Sequence, residues 1–104
     1  MSLNNNNKTR IIIDQIELIT NGTPEQLELI NNPNQIGIVI DESNEKISEI
    51  TALFMIANQN KFNVQEKIDS LIKAGANPNK KIDYYKRNTS FIEFINNYRT
   101  NIHI

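Results

Sequence analysis

Apolar positions along this chain change period several times, and each change predicts an element. In KTRIIIDQIELIT, Ile12, Ile16 and Ile19 recur at the spacing that forms one stripe of a helix, which the Asn21-Gly22 pair then ends. In TPEQLELI, Thr23 can cap a second helix, Pro24 stands where a missing N–H costs nothing, and Gln26 completes a capping box; Leu27 and Ile30 form its buried stripe. NNPNQ ends that helix. The next stretch, IGIVIDESNEKISEI, alternates at Ile36, Ile38 and Ile40 before the polar DESNE, a pattern that predicts a hairpin or an extended arm.

Helical spacing resumes at TALFMIAN, with Thr51 as the cap and Leu53, Ile56 and Ala57 on one side. The clearest amphipathic helix follows in NVQEKIDSLIKAG, where Val64, Ile68, Leu71 and Ile72 share a face. Gly75 can enter the left-handed region without a Cβ penalty and so stops this helix, and Pro78 between Asn77 and Asn79 forms a turn. A last helix is predicted to start at Thr89, with Phe91, Phe94, Ile95 and Tyr98 as its apolar stripe.

Thr51 and Thr89 each follow a polar loop and lead into a short apolar helix, and they lie 38 residues apart, a period that points to a helical repeat. Here the chain resembles ankyrin repeats, whose pattern runs T-P-L-H-x-A-A, a short loop, a second helix ending L-L, then G-A-D-x-N. TALFMIA matches at Thr51, Leu53 and Ala57; LIKAGANPN matches at Leu71, Ile72, Gly75, Ala76, Asn77 and Asn79. The family's repeat is about 33 residues, so the excess falls in the loops NQNKFNVQE and KKIDYYKRN. Phe54 and Ile92 stand where the family has histidine.

The resemblance implies an all-α fold: an ankyrin-repeat-like stack of helix pairs joined by extended hairpin loops, about two and a half degenerate repeats long. It places a single such domain at residues 9–104 behind a flexible polar leader at residues 1–8. It also implies a non-catalytic protein-protein interaction module, an effector or regulator that binds another protein through its hairpin loops and concave face. The alternative it offers is a terminal scaffold fragment that packs on further repeats, another domain or itself. A final inner helix without an outer mate would expose Phe91, Phe94 and Ile95, which predicts a weak homodimer.

Composition narrows the chemistry. A chain of 104 residues suits one domain. It has no cysteine, which removes thiolate nucleophiles and disulfides and suits the cytoplasm or another reducing compartment, a host cell's interior among them. Its one histidine is His103, so no catalytic group, metal site or cofactor is expected. No apolar run approaches the roughly 20 residues that cross a bilayer, and MSLNNNNKTR lacks the apolar centre of a signal peptide, so no membrane partner is expected.

Charge is uneven. Residues 1–50 hold three basic and eight acidic side chains, and residues 51–104 hold eight basic and four acidic ones. The basic residues gather with aromatics in KKIDYYKR, which makes Lys80, Lys81, Tyr84, Tyr85, Lys86 and Arg87 the candidate partner-binding residues, because tyrosine and arginine combine contact area with hydrogen bonding. Nucleic acid is the weaker expectation, since the patch is one loop on a chain of net charge −1. Asp41, Glu42 and Glu45 crowd one turn, but no glycine-rich phosphate loop accompanies them and their spacing is not that of a calcium loop, so no small-molecule substrate is expected.

Overall fold

The computed structural model describes residues 8–59 and 62–104. The expected flexible leader lies outside the described residues except for Lys8, as do two residues of the inserted loop after TALFMIAN.

The first predicted helix begins as a strand. Three consecutive isoleucines, branched at Cβ, favour extended backbone, and Arg10–Ile12 forms β1, paired antiparallel with β2 (Gly37–Ile40) through Ile11↔Val39 and Ile12↔Ile38. The helix proper, α1, is only Ile16–Asn21 and starts behind Gln15 in the left-handed region. The Ile12, Ile16, Ile19 stripe therefore does not form: Ile19 is buried, while Ile12 and Ile16 are 46% and 37% exposed.

Thr23 caps α2 (Pro24–Leu27) as expected, its Oγ1 accepting from Gln26 N while Gln26 Oε1 accepts from Thr23 N. The predicted hairpin also forms, from β2 and β3 (Lys46–Ile50), and the sheet order is β1-β2-β3. Its buried face differs from the Ile36, Ile38, Ile40 alternation. Val39 points into the core, and a register irregularity between Val39 and Ile40 shifts the parity so that Ile40 is buried as well.

Among the described residues three helices and two strands follow β3. α3 (Ala52–Gln59) buries every residue from Ala52 to Ala57 and touches α1, α4 and α5, which makes it the central rod of the core. α4 (Val64–Lys73) buries Ile68 and Leu71. It ends in a Schellman motif, Ala76 N donating to Leu71 O and Gly75 N to Ile72 O, with Gly75 at φ +109°. Asn34 ties this turn to the NNPNQ loop by donating from Nδ2 to Gly75 O at 2.9 Å and accepting from Asn77 N at 2.7 Å.

KKIDYYKRN is not a loop. Its residues form an antiparallel hairpin of β4 (Lys81–Tyr84) and β5 (Arg87–Ser90), followed directly by α5 (Phe91–Tyr98). Thr89 lies in β5, and Ser90 is the true cap of α5, exchanging hydrogen bonds with Glu93 in a second capping box.

The all-α ankyrin-like stack is thus corrected: among the described residues five helices are interspersed with five strands, the strands in a three-stranded and a two-stranded sheet, so the molecule is a mixed helix-and-sheet globule and not a helical-repeat solenoid. The repetition at 38 residues reflects two hairpin-then-helix units, β2-β3-α3 and β4-β5-α5. The expected apolar exposure of the last helix is also absent, with Phe91, Phe94 and Ile95 only 1%, 5% and 3% exposed. Ile102 is buried too, and Gln65 holds the backbone of His103 by donating to its carbonyl at 2.7 Å and accepting from its amide at 2.8 Å.

Candidate functional site

Lys80, Lys81, Tyr84, Tyr85, Lys86 and Arg87 sit together on and beside the β4–β5 hairpin, but the fold gives them different tasks. Lys81 faces Glu93 at 3.7 Å across exposed surface, a pair of little energetic weight. Lys80 precedes the strand, its amide donating to Asn77 O. The hairpin tip is the two-residue turn Tyr85–Lys86, flanked by the Tyr84↔Arg87 pair.

Both tip residues have positive φ, 48° at Tyr85 and 70° at Lys86. That is the mark of a type I′ turn, whose twist matches a hairpin and whose usual residues are Asn-Gly or Asp-Gly. A bulky aromatic and a lysine in the left-handed region carry a conformational cost of order 1 kcal/mol or more each.

The two tyrosines divide in role. The Tyr84 ring is half-buried, packing on Phe54 at 4.8 Å and edge-on against Phe94 at 5.3 Å between centroids. Its hydroxyl accepts from Asn58 Nδ2 at 3.0 Å. Burial pushes the Tyr84 phenol above its ordinary pKa, against the opposing effect of the Asn58 bond. The Tyr85 ring stands edge-on to Tyr84 at 4.8 Å and is 49% exposed. Tyr85 is thereby the projecting ring and Tyr84 its foundation.

The hairpin is held to the larger sheet by side chains. Tyr85 N donates to Ser48 Oγ at 3.0 Å, and Ser48 Oγ donates to Glu49 O at 2.7 Å. Asp83 N donates to Glu49 Oε1 at 2.8 Å. That bond, foremost among its surroundings, holds the Glu49 carboxyl below the usual glutamate range.

Two grooves flank the tip. One, of 640 Å³, lies between the hairpin, β1 and α1, with Arg10, Ile11, Ile16, Met55, Tyr84 and Tyr85 among its walls. The other, of 440 Å³, lies between the hairpin and α5, walled by Tyr84, Tyr85, Arg87, Phe94, Tyr98 and Arg99 together with Asn58 and Thr89. Among the described residues no aspartate or glutamate lines either groove. Arg99 donates from Nη1 to the carbonyl of Ala57 and from Nε to Asn101 Oδ1 at 3.4 Å, which fixes its guanidinium at the groove's edge.

The sequence marks the hairpin residues but not Arg10, Ser48, Asn58, Tyr98 and Arg99 as their neighbours. These come from β1, β3, the end of α3 and the end of α5, and no local pattern links positions so far apart. The one available signal was Ser90-x-x-Glu93, which marks the start of α5 and therefore leaves KIDYYKRNT free to form a hairpin.

Among the described residues no helix is long and apolar enough to cross a membrane. The chain matches no protein-family model, and neither a curated protein nor a solved structure matches it.

Proposed function

We propose that this chain is a non-catalytic binding module for another protein, with the Tyr85 tip and the two grooves beside it as the docking face. The observation that carries this reading is the turn itself. Hairpin physics calls for Asn-Gly at Tyr85 and Lys86, yet the chain sets there a half-exposed aromatic ring and a cation, each in the left-handed region. Local rules broken without a local gain are characteristic of functional positions.

The surroundings support it. Tyr84 buttresses the projecting ring from below, and the Ser48 hydroxyl holds the tip's backbone, so Tyr85 is offered in a preorganised geometry. Tyrosine and arginine dominate binding hot spots, and Tyr85, Tyr98, Arg87 and Arg99 meet on one face.

The test is photocrosslinking from position 85 of the full chain in an extract of its source cells, with Tyr85→Ala as the control protein. A discrete crosslinked protein, competed by unmodified chain and not by Tyr85→Ala of unchanged melting temperature, is expected. Crosslinks that are diffuse, or equally competed by Tyr85→Ala, overturn the reading.

A further inference from the structure

The chemistry of the smaller groove narrows the partner, an inference that rests on the docking face just described. We propose that the groove between the β4–β5 hairpin and α5 receives an acidic peptide segment in which a carboxylate neighbours an aromatic side chain.

The aromatic half of that specificity follows from the walls. Tyr85, Tyr84, Phe94 and Tyr98 form a continuous chain of rings with successive centroids 4.8, 5.3 and 5.5 Å apart. Tyr84 and Phe94 are its packed middle, while Tyr85 and Tyr98, at 49% and 66% exposure, are its open ends. An incoming ring between those ends gains edge-to-face contacts on both sides.

The acidic half follows from unmatched charge. The basic side chains with a carboxylate partner among the described residues are Lys46, Lys73 and Lys81, none of them in this groove. Arg87 and Arg99 line it with no such partner, and the groove holds no carboxylate of its own. Tyr84 adds a hydroxyl that accepts from Asn58 and keeps its proton for donation. The Arg87 guanidinium, the N–H groups of Arg99 not given to Ala57 and Asn101, and a phenol are a donor set for a carboxylate, and arginine matches that planar group with paired N–H bonds.

Polyphosphate fits the same face poorly. A strand leaving the smaller groove past Tyr85 would enter the larger one and reach Arg10, where Asp41 and Glu42 line the adjoining surface. Cations at one end, and at the other Asp41 and Glu42 balanced by Lys8 and Arg10, suit a peptide with an acidic end and a neutral one, not a uniformly charged backbone.

Fluorescence anisotropy of the full chain with short labelled peptides of equal length tests this. The probes carry Phe-Glu-Glu, Phe-Gln-Gln or Phe-Lys-Lys in a neutral flank, beside an oligothymidylate. Phe-Glu-Glu is expected to bind best, with the isosteric Phe-Gln-Gln weaker by about tenfold or more. Arg87→Glu, at an exposed position and checked by its melting temperature, is expected to reverse the order in favour of Phe-Lys-Lys. Equal binding of acid and amide peptides, or no binding of Phe-Glu-Glu, overturns the inference. If crosslinking from position 85 still finds a protein, the docking face survives and only the acidic preference is lost. Oligothymidylate binding tighter than every peptide overturns it in favour of nucleic acid.

Discussion

Ser48 and Tyr85, distant in the chain, are joined by a hydrogen bond in which the tip amide of the second hairpin donates to the hydroxyl of the first at 3.0 Å. Ser48 is buried, and among the described residues no other acceptor takes that amide. Ser48→Ala is therefore expected to cost about 1 kcal/mol in chemical denaturation. It should also weaken partner binding, because the Tyr85 ring loses its fixed approach.

The turn makes the opposite trade. Replacing Tyr85 and Lys86 together by Asn-Gly relieves two left-handed strains and is expected to raise stability by roughly 1 kcal/mol. The same change should abolish binding at the face. A thermal melt paired with the crosslinking assay reads both effects, and a variant that gains no stability would show that the tip is not strained.

Tyr84 and Tyr85 should separate cleanly. Tyr84→Ala removes a ring packed on Phe54 and Phe94, and at half burial is expected to cost about 2 kcal/mol. Tyr84→Phe keeps the packing and loses only the Asn58 bond, so its melting temperature should stay close to that of the parent. Tyr85→Ala is expected to leave stability almost unchanged and remove binding.

Acid should loosen the junction between the two hairpins and the start of α5. The carboxyl of Glu49 is held low chiefly by the Asp83 amide and that of Glu93 chiefly by the Ser90 amide. A carboxyl whose folded pKa is depressed contributes fully above its unfolded pKa, about 4.3 for glutamate, and loses that contribution as pH falls through the folded value. Melting temperature is expected to decline from the ordinary glutamate range downward, with a shallower slope in Glu49→Gln and Glu93→Gln. Identical slopes in parent and variants would exclude these two groups as the cause.

Two glycines test strain against crowding. A Cβ at Gly75 would meet only Pro33 Cγ at 3.8 Å, so Gly75→Ala carries the cost of φ +109° alone, on the order of 1 kcal/mol. A Cβ at Gly37 would lie 2.6 Å from Ile13 Cβ and 2.7 Å from Ile12 O. Gly37→Ala is expected to be the more damaging, read as the larger fall in denaturation midpoint.

The parts legible in the sequence are those decided by neighbours in the chain. Thr23 with Gln26, Gly75 after its amphipathic helix, and the hairpin around Asp41–Glu45 are local devices and form where their residues stand. Ile12 misleads because its helical spacing with Ile16 and Ile19 competes with strand pairing to Ile38, which lies far along the chain. Thr89 misleads because the adjacent Ser90 has glutamate three residues on and Thr89 does not. In KIDYYKR the tyrosines and basic residues were visible; that the tip would be a strained two-residue turn was not, since Tyr-Lys carries no turn signal. The all-helical expectation failed at this point, where the nine residues read as loop, KKIDYYKRN, hold β4, its two-residue turn and the start of β5.

The seam between the two sheets has a consequence for what the chain avoids. Hairpin pairing turns the amides of Asp83 and Tyr85 outward, to the side where another strand could add. Glu49 and Ser48 occupy those amides with side-chain oxygens, so the sheets meet without merging and these two positions are closed to an added strand. One carboxylate and one hydroxyl thus stand in for a neighbouring strand at this edge, and their loss would leave both amides open to pairing with another chain.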